Sequence, residues 1–151
     1  MWHPMKYASM LAEKMERHGT RAWLVNTGWA GGRYGVGARI KLRYTRAILD
    51  AIHSGALESA ETDVTPVFGL HVPTSCPGVP AALLDPSRSW ADGADFDATL
   101  RHLGSIYSSN FERYADGGAF VAKELADAIL AAGPDAGEGA PDGNGEAANG
   151  H

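Results

Sequence analysis

The stretch that decides the fold is residues 22–46, which read AWLVNTGWAGGRYGVGARIKLRYTR. It opens with a short, largely apolar run, Ala22 to Asn26, of a kind typical of a buried strand. The run leads directly into Thr27 to Gly37, where five of eleven residues are glycine. Because glycine adopts positive φ angles and lets a backbone approach a ligand closely, this glycine-rich segment is either a surface loop or a ligand-binding loop.

The glycine-rich segment does not match the common phosphate-binding motifs. No Gly-Lys-Ser/Thr follows it, as a P-loop requires, and its glycines do not open a helix directly after a strand, as the dinucleotide fingerprint requires. The six histidines of the chain show no metal-ligand spacing. The lone cysteine, Cys76, has no recognisable base partner and is interpreted as a small, half-buried side chain.

Helical spacing predicts two helices in the first third of the chain. Pro4 to His18 has apolar residues on one face and a proline in the first turn, and Gly19 is placed to end it. Thr45 to His53 has a second apolar stripe close to the glycine-rich segment. Beyond it, the alternation of apolar residues from Phe68 to Val72 predicts a second strand.

The rest of the chain predicts two more helices and a tail. Prolines make residues 73–94 mostly irregular. The apolar spacing from Asp95 to Tyr114, with Asp95 as the cap, predicts the longest helix, and a last helix runs from Phe120 to Ile129 and ends near Gly133. Residues 133–151 are rich in glycine and acids and have no large apolar side chain, so this tail is predicted to be disordered.

These elements predict a mixed α/β (α+β) fold with two strands and about four helices. Residues 1–132 form the folded part and residues 133–151 the disordered acidic tail of glycine, proline and alanine. A sheet of two strands is rarely stable without further strands or a covering helix. We therefore expect the run from Ala22 to Asn26 to pair with strands outside this chain.

The charge distribution limits which classes of function fit the sequence. The whole chain carries a formal charge of −5, but residues 1–46 have nine Lys or Arg against two acids, which gives 9 − 2 = +7. Such a segment can hold the phosphates of a nucleotide or of nucleic acid, or it can be a solvated face. No run approaches the roughly 20 apolar residues of a membrane span and no signal peptide is recognisable, so no membrane partner and a cytoplasmic location are expected.

Many short motifs in the same order carry a family resemblance that extends from about His3 to Pro134. They are Leu24 to Trp29, Gly31-Gly32, Tyr34 to Gly37, Arg39-Ile40, Thr45 to Ala47, Glu61 to Asp63, Pro66 to Leu70, Val72 to Pro80 and Leu84 to Pro86. Together they resemble the ATP-dependent phosphoenolpyruvate carboxykinases. The resemblance implies that this chain is the carboxy-terminal part of that enzyme's nucleotide-binding domain.

The resemblance also implies an activity and its cofactors. Members of the family convert oxaloacetate and ATP to phosphoenolpyruvate, carbon dioxide and ADP, a step that feeds gluconeogenesis. They use a divalent metal, Mg²⁺ or Mn²⁺, whose ligands lie upstream of this chain, as do the P-loop and the arginines that hold oxaloacetate. The chain alone is therefore expected to be inactive, and its partner is expected to be the missing upstream part of the same enzyme.

Three residues match nucleotide-contacting positions of the family: Arg39, Ile40 and Thr45. A guanidinium can stack on a purine or bind phosphate oxygens, and a hydroxyl can donate or accept a single hydrogen bond. Ala38 departs from the family pattern, since many members have lysine there. No catalytic residue and no metal ligand is expected within this chain.

Two other interpretations remain open. The first is a truncated, non-catalytic protein that persists as a nucleotide-binding or interaction module. The second is nucleic-acid binding through the basic first 46 residues, which is disfavoured because basic and aromatic residues are not organised into a known module.

Overall fold

The computed structural model describes residues 2–115, 123–135 and 137. Its elements in chain order are α1 Pro4–His18, β1 Trp29–Ala30, β2 Ala38–Arg39, α2 Leu42–His53, β3 Thr62–Val64, β4 His71–Pro73, α3 Ala81–Leu84, α4 Pro86–Ser89, α5 Gly93–Ala115 and α6 Lys123–Ala131. The fold is mixed α/β, with six helices and four short strands among the described residues, so the predicted fold class is confirmed. None of the helices described is both long and apolar enough to cross a bilayer.

The chain forms two compact units. The first comprises the described residues within Met1–Ala22 and Leu100–His151, and the second is Trp23–Thr99, so α5 contributes residues to both. In the first unit the buried side chains include Met5 of α1 and Ala126 of α6. The second unit contains the glycine-rich segment and all four strands.

Helix α1 has the predicted bounds because both of its ends are capped. His3 precedes Pro4, and its Nδ1 accepts a hydrogen bond from the Met5 amide at 3.3 Å. At the other end Gly19 adopts the left-handed conformation, with φ 57° and ψ 34°. The Thr20 amide then donates to the Met15 carbonyl at 3.1 Å, the wide bond of a Schellman motif.

The core of the second unit lies between α2 and the segments that follow it. Ala51, Leu57 and Cys76 are buried together. Partly buried apolar residues pack around them: Ile48, Ile52, Ala60, Val79 and Leu84. Cys76 is 6% exposed, so it is a buried core side chain and not the half-buried one expected, and this burial raises the pKa of its thiol.

The strands form two separate antiparallel hairpins. In the first, Trp29 is opposite Arg39 and Ala30 opposite Ala38. In the second, β3 pairs with β4, with Asp63 opposite Val72. The predicted strand from Phe68 to Val72 is therefore wrong in its first half, and the strand begins only at His71. The earlier residues form a tight turn, in which the Phe68 amide donates to the Pro66 carbonyl at 2.7 Å.

The predicted strand from Ala22 to Asn26 does not form. No strand of the part of the chain that is described lies beside it, and none of the backbone–backbone hydrogen bonds found there involves residues 22–27. Leu24 is 84% exposed and Trp23 36% exposed. An apolar run specifies a strand only where another strand supplies hydrogen bonds, and this run lacks such a neighbour.

Residues 73–94 are more regular than the prolines suggested, because proline is tolerated in the first turn of a helix. Pro80 precedes α3, and Pro86 is the first residue of α4. Asp85 caps α4 by accepting a hydrogen bond from the Ser87 amide at 3.0 Å. The Ser87 hydroxyl, which also donates to this carboxylate, holds the pKa of Asp85 below its usual range.

The predicted helices are confirmed, with changed ends. Helix α2 begins at Leu42, three residues before the predicted start. The cap of α5 is Asp92 and not Asp95, because the Asp92 carboxylate accepts hydrogen bonds from the amides of Ala94 and Asp95 at 2.8 and 3.3 Å. Two predictions lie outside the described residues. They are the start of the last helix, at residues 120–122, and most of the tail, at residues 136 and 138–151.

We predict that Gly19→Ala weakens the end of α1. No atom lies within 4 Å of the position that an added Cβ would occupy, so the left-handed backbone is the source of the cost, which is about 1 kcal/mol. Gly19→Asn should cost less, since asparagine tolerates this conformation. Hydrogen exchange of the Thr20 amide measures the effect, and equal protection in the alanine variant and the parent would contradict it.

Candidate functional site

The first hairpin ends beside helix α2. After the register pairs Trp29–Arg39 and Ala30–Ala38, the Ile40 amide donates to the Gly28 carbonyl at 2.9 Å. This bond continues the ladder by one residue and joins the two flanks of the glycine-rich segment. Arg39 and Ile40 are thereby fixed directly before the start of α2.

The glycines shape the connection between the two strands. The Arg33 carbonyl accepts hydrogen bonds from the amides of Val36 and Gly37, both at 3.0 Å. Gly35 has φ 86°, a conformation that side chains disfavour. A Cβ on Gly37 would lie 2.8 Å from the carbonyl oxygens of Ala30 and Gly32, which is too close for any side chain.

Two further contacts involve the tip of this hairpin. The Arg33 guanidinium forms an ion pair with Asp95 of α5, with Nη2 2.5 Å from Oδ1. Both side chains are exposed, so the pair is worth at most about 1 kcal/mol. The rings of Trp29 and Tyr34 meet edge to face with their centroids 5.9 Å apart. The hairpin is thus held by its own backbone more than by these surface contacts.

Helix α2 contributes a buried hydroxyl. Thr45 is only 7% exposed and is the buried polar residue of this unit. The sequence predicted Thr45 at the start of this helix. Because the helix begins at Leu42, Thr45 lies one turn inside it instead. Lys41, at the N-cap, makes no side-chain capping hydrogen bond.

An open groove lies between the hairpin and α2. Its volume is about 480 Å³, within the range of small-molecule sites. The residues that line it are Thr27, Arg39, Ile40, Leu42 and Thr45. The groove therefore brings together all three residues singled out from the sequence, Arg39, Ile40 and Thr45.

Two lining residues, Thr27 and Leu42, were missed by sequence reasoning. Thr27 occupies the position where the apolar run meets the glycine-rich segment, and Leu42 begins α2. Had α2 been predicted to begin at Leu42, this residue would have been recognised as part of the same surface as Ile40. None of the glycines lines the groove, so they act on it through the shape of the hairpin.

The groove combines two kinds of surface. Thr27 and Thr45 offer hydroxyls and Arg39 a permanent positive charge, while Ile40 and Leu42 offer apolar contact. Such a mixture suits a planar, partly polar ligand that carries or adjoins negative charge. Residues 33–46 add positive charge, since they include five Lys or Arg and no acid. Of these, Arg33 pairs with Asp95 and the Arg43 guanidinium lies 4.6 Å from the centroid of the Tyr44 ring.

No ligand set for a metal ion occurs among residues 2–115, 123–135 and 137, where no three His, Cys, Asp or Glu side chains come together. The groove offers hydroxyl, guanidinium and apolar groups, which do not fit a divalent cation. No step through a metal is therefore assigned to these residues.

The described residues form a mixed α/β fold with an open groove beside α2, and comparisons with known proteins define its family. The sequence model of the family "Phosphoenolpyruvate carboxykinase" matches residues 1–82. The chain belongs to the phosphoenolpyruvate carboxykinase family, so the predicted resemblance is confirmed.

Individual relatives agree with this assignment. "Phosphoenolpyruvate carboxykinase (ATP)" of Zea mays is 54% identical over 134 residues, which are 89% of this chain and 20% of the relative. "Phosphoenolpyruvate carboxykinase (ATP) 1" of Urochloa panicoides is also 54% identical, over 22% of its length. The protein of the same type from Dictyostelium discoideum is 49% identical, over 23% of its length. The chain thus spans between a fifth and a quarter of the length of these curated relatives.

We predict that Gly37→Ala disrupts the hairpin while Gly28→Ala does not. The added methyl at position 37 would collide with two backbone carbonyls, whereas at position 28 the nearest atom is the Asn26 Oδ1 at 3.4 Å. Hydrogen exchange of the Ile40 amide, which depends on hairpin closure, reports the difference. Protection should fall about tenfold or more in the Gly37 variant, as expected for a loss above 1.4 kcal/mol, and equal protection in both variants would refute the argument.

Proposed function

We propose that this chain supplies the adenosine side of the ATP site of an ATP-dependent phosphoenolpyruvate carboxykinase. The complete enzyme converts oxaloacetate and ATP to phosphoenolpyruvate, carbon dioxide and ADP. The observation that carries the proposal is that Arg39, Ile40 and Thr45, selected by resemblance alone, line one groove. Arg39 and Ile40 are adjacent in sequence, and the start of α2 at Leu42 adds Thr45 to the same groove.

Each residue has a role that its chemistry supports. The Arg39 guanidinium, on the last residue of β2, stacks on the purine or contacts the nearest phosphate oxygens. Ile40 gives apolar contact to the base, and its backbone is fixed by the hydrogen bond to Gly28. The Thr45 hydroxyl, on a buried residue of α2, makes one hydrogen bond to the base or ribose.

These residues bind and orient the nucleotide; they do not perform the phosphoryl transfer. Phosphoryl transfer depends on aligned phosphates and on positive charge near the transferred group, which a divalent metal supplies when bound. Neither a P-loop nor a metal site is present in the segment described. The 151-residue chain is therefore expected to bind a nucleotide at most weakly by itself and to contribute to catalysis only together with the rest of a carboxykinase.

The complete enzyme would act in gluconeogenesis, in the cytoplasm. This setting is inferred from the activity of the family. The substrates, ATP and oxaloacetate, and the divalent metal belong to the complete enzyme. A non-catalytic nucleotide-binding module is the alternative, and the same groove would serve it.

The proposal predicts a selective defect in Arg39→Ala. The test uses a chimera in which this sequence replaces the matching segment of the maize relative. Loss of one charged contact should raise the KM for ATP about tenfold to a hundredfold. The KM for oxaloacetate should change little, because no oxaloacetate contact is assigned to this chain.

The matched control is Arg43→Ala, since Arg43 lies on the same segment but does not line the groove. It should leave both KM values near those of the parent chimera. Equal increases in the KM values for ATP and oxaloacetate in Arg39→Ala would contradict a nucleotide role for Arg39. The same rise in the KM for ATP in Arg43→Ala would also contradict it. A parent chimera that binds ATP without turnover would favour the non-catalytic module.

A further inference from the structure

The tip of the glycine-rich hairpin contacts a segment that lies far along the chain. This segment, residues 89–96, runs from the end of α4 into the start of α5 and is here named the α4–α5 segment. The backbone of Gly31 lies against Ser89, since a Cβ added to Gly31 would be 3.1 Å from the Ser89 carbonyl oxygen. Two residues further along the hairpin, the Arg33 guanidinium pairs with the Asp95 carboxylate at 2.5 Å. The hairpin and the α4–α5 segment therefore meet at two points.

Local contacts order the α4–α5 segment. The Asp92 carboxylate accepts hydrogen bonds from the amides of Ala94 and Asp95 at 2.8 and 3.3 Å. The rings of Trp90 and Phe96 meet edge to face with their centroids 5.5 Å apart. The Asp95 carboxylate lies in the first turn of α5, where the dipole of a helix favours negative charge. Asp95 is thus presented to the hairpin from an ordered backbone.

The α4–α5 segment is also connected to α2, which forms the other side of the groove. Leu84, the last residue of α3, packs against the buried cluster that includes Ala51 of α2. Helix α4 begins two residues later, at Pro86, and its last residue is Ser89. The hairpin is therefore linked to α2 by two routes. One is the short connection through residues 40–41, and the other is the α4–α5 segment.

We propose that Arg33 and Asp95 are positioning residues for ATP binding, which hold the closed hairpin against the α4–α5 segment and so keep Arg39 in place beside α2. This inference rests on the proposed function, because the nucleotide contact is assigned to Arg39. The backbone of the hairpin determines its shape, and the ion pair determines where its tip lies. Neither Arg33 nor Asp95 lines the groove, so their effect on the nucleotide passes through β2, whose last residue is Arg39.

A double-mutant cycle in the maize chimera tests the ion pair. Arg33→Ala and Asp95→Asn should each raise the KM for ATP about twofold to fivefold, the range expected for an exposed ion pair. The double variant should be no worse than either single variant, because each change alone already removes the pair. The side chains of Arg33 and Asp95 are 58% and 47% exposed, so neither change opens a cavity in the core.

Two further variants separate positioning from a general structural effect. Asp95→Glu keeps the negative charge and should keep the KM for ATP closer to that of the parent than Asp95→Asn does. Arg88→Ala is the matched control, because it removes another exposed ion pair, with Asp85 at 3.0 Å, that lies within α4 and its cap. It should leave the KM for ATP unchanged. In all of these variants kcat and the KM for oxaloacetate should stay near the values of the parent chimera.

Hydrogen exchange measures the position of the hairpin without ATP. The Gly37 amide donates to the Arg33 carbonyl at 3.0 Å, so its protection reports on the part of the hairpin that carries the ion pair. In the ATP-free chimera, protection should fall about twofold to fivefold in both Arg33→Ala and Asp95→Asn. The difference from the parent should disappear in about 1 M salt, where the Debye length is about 3 Å.

Support requires matched rises in the KM for ATP in the two single variants, no further rise in the double variant, and recovery in Asp95→Glu. An unchanged or lowered KM for ATP in Asp95→Asn overturns the proposal, since it would mean that Arg33 acts on the nucleotide directly or not at all. Equal changes in the KM for oxaloacetate also overturn it. A failure of the proposed function is recognised separately, because it would leave the KM for ATP unchanged in Arg39→Ala, where the ion pair is intact.

Discussion

The close approach of backbone to backbone at Gly37 is the constraint on which the groove beside α2 depends. An added Cβ there would lie 2.8 Å from two carbonyl oxygens, so only glycine lets the hairpin close. Closure permits the bond from Ile40 to Gly28 and places Arg39 and Ile40 just before α2. The buried Thr45 then completes the groove from the helix side. The glycines thus shape the hairpin and do not themselves line the groove.

Local signals in the sequence predicted the helices well. Pro4 and Gly19 define α1 because both ends satisfy backbone groups locally, through a cap and a Schellman motif. The cap of α5 was misplaced because Asp92 and Asp95 are both suitable residues. In the structure the Asp92 carboxylate accepts the capping hydrogen bonds, whereas Asp95 pairs with Arg33. The short helices α3 and α4 were missed because prolines were interpreted as breakers when they stand at helix starts.

Strands were predicted less well, since a strand depends on a neighbour that the local sequence does not name. The run from Ala22 to Asn26 has a stronger strand pattern than either β1 or β2, yet it remains unpaired while those two-residue strands form. The groove residues, in contrast, came from family resemblance, because chemistry and spacing alone left the glycine-rich segment open to two interpretations.

A crystal structure of the maize chimera with bound ATP tests the central claim most directly. The account predicts that the adenosine lies in the groove, within contact distance of Arg39, Ile40 and Thr45. ATP bound with its adenosine away from these three residues would contradict the account, even if the chimera were active.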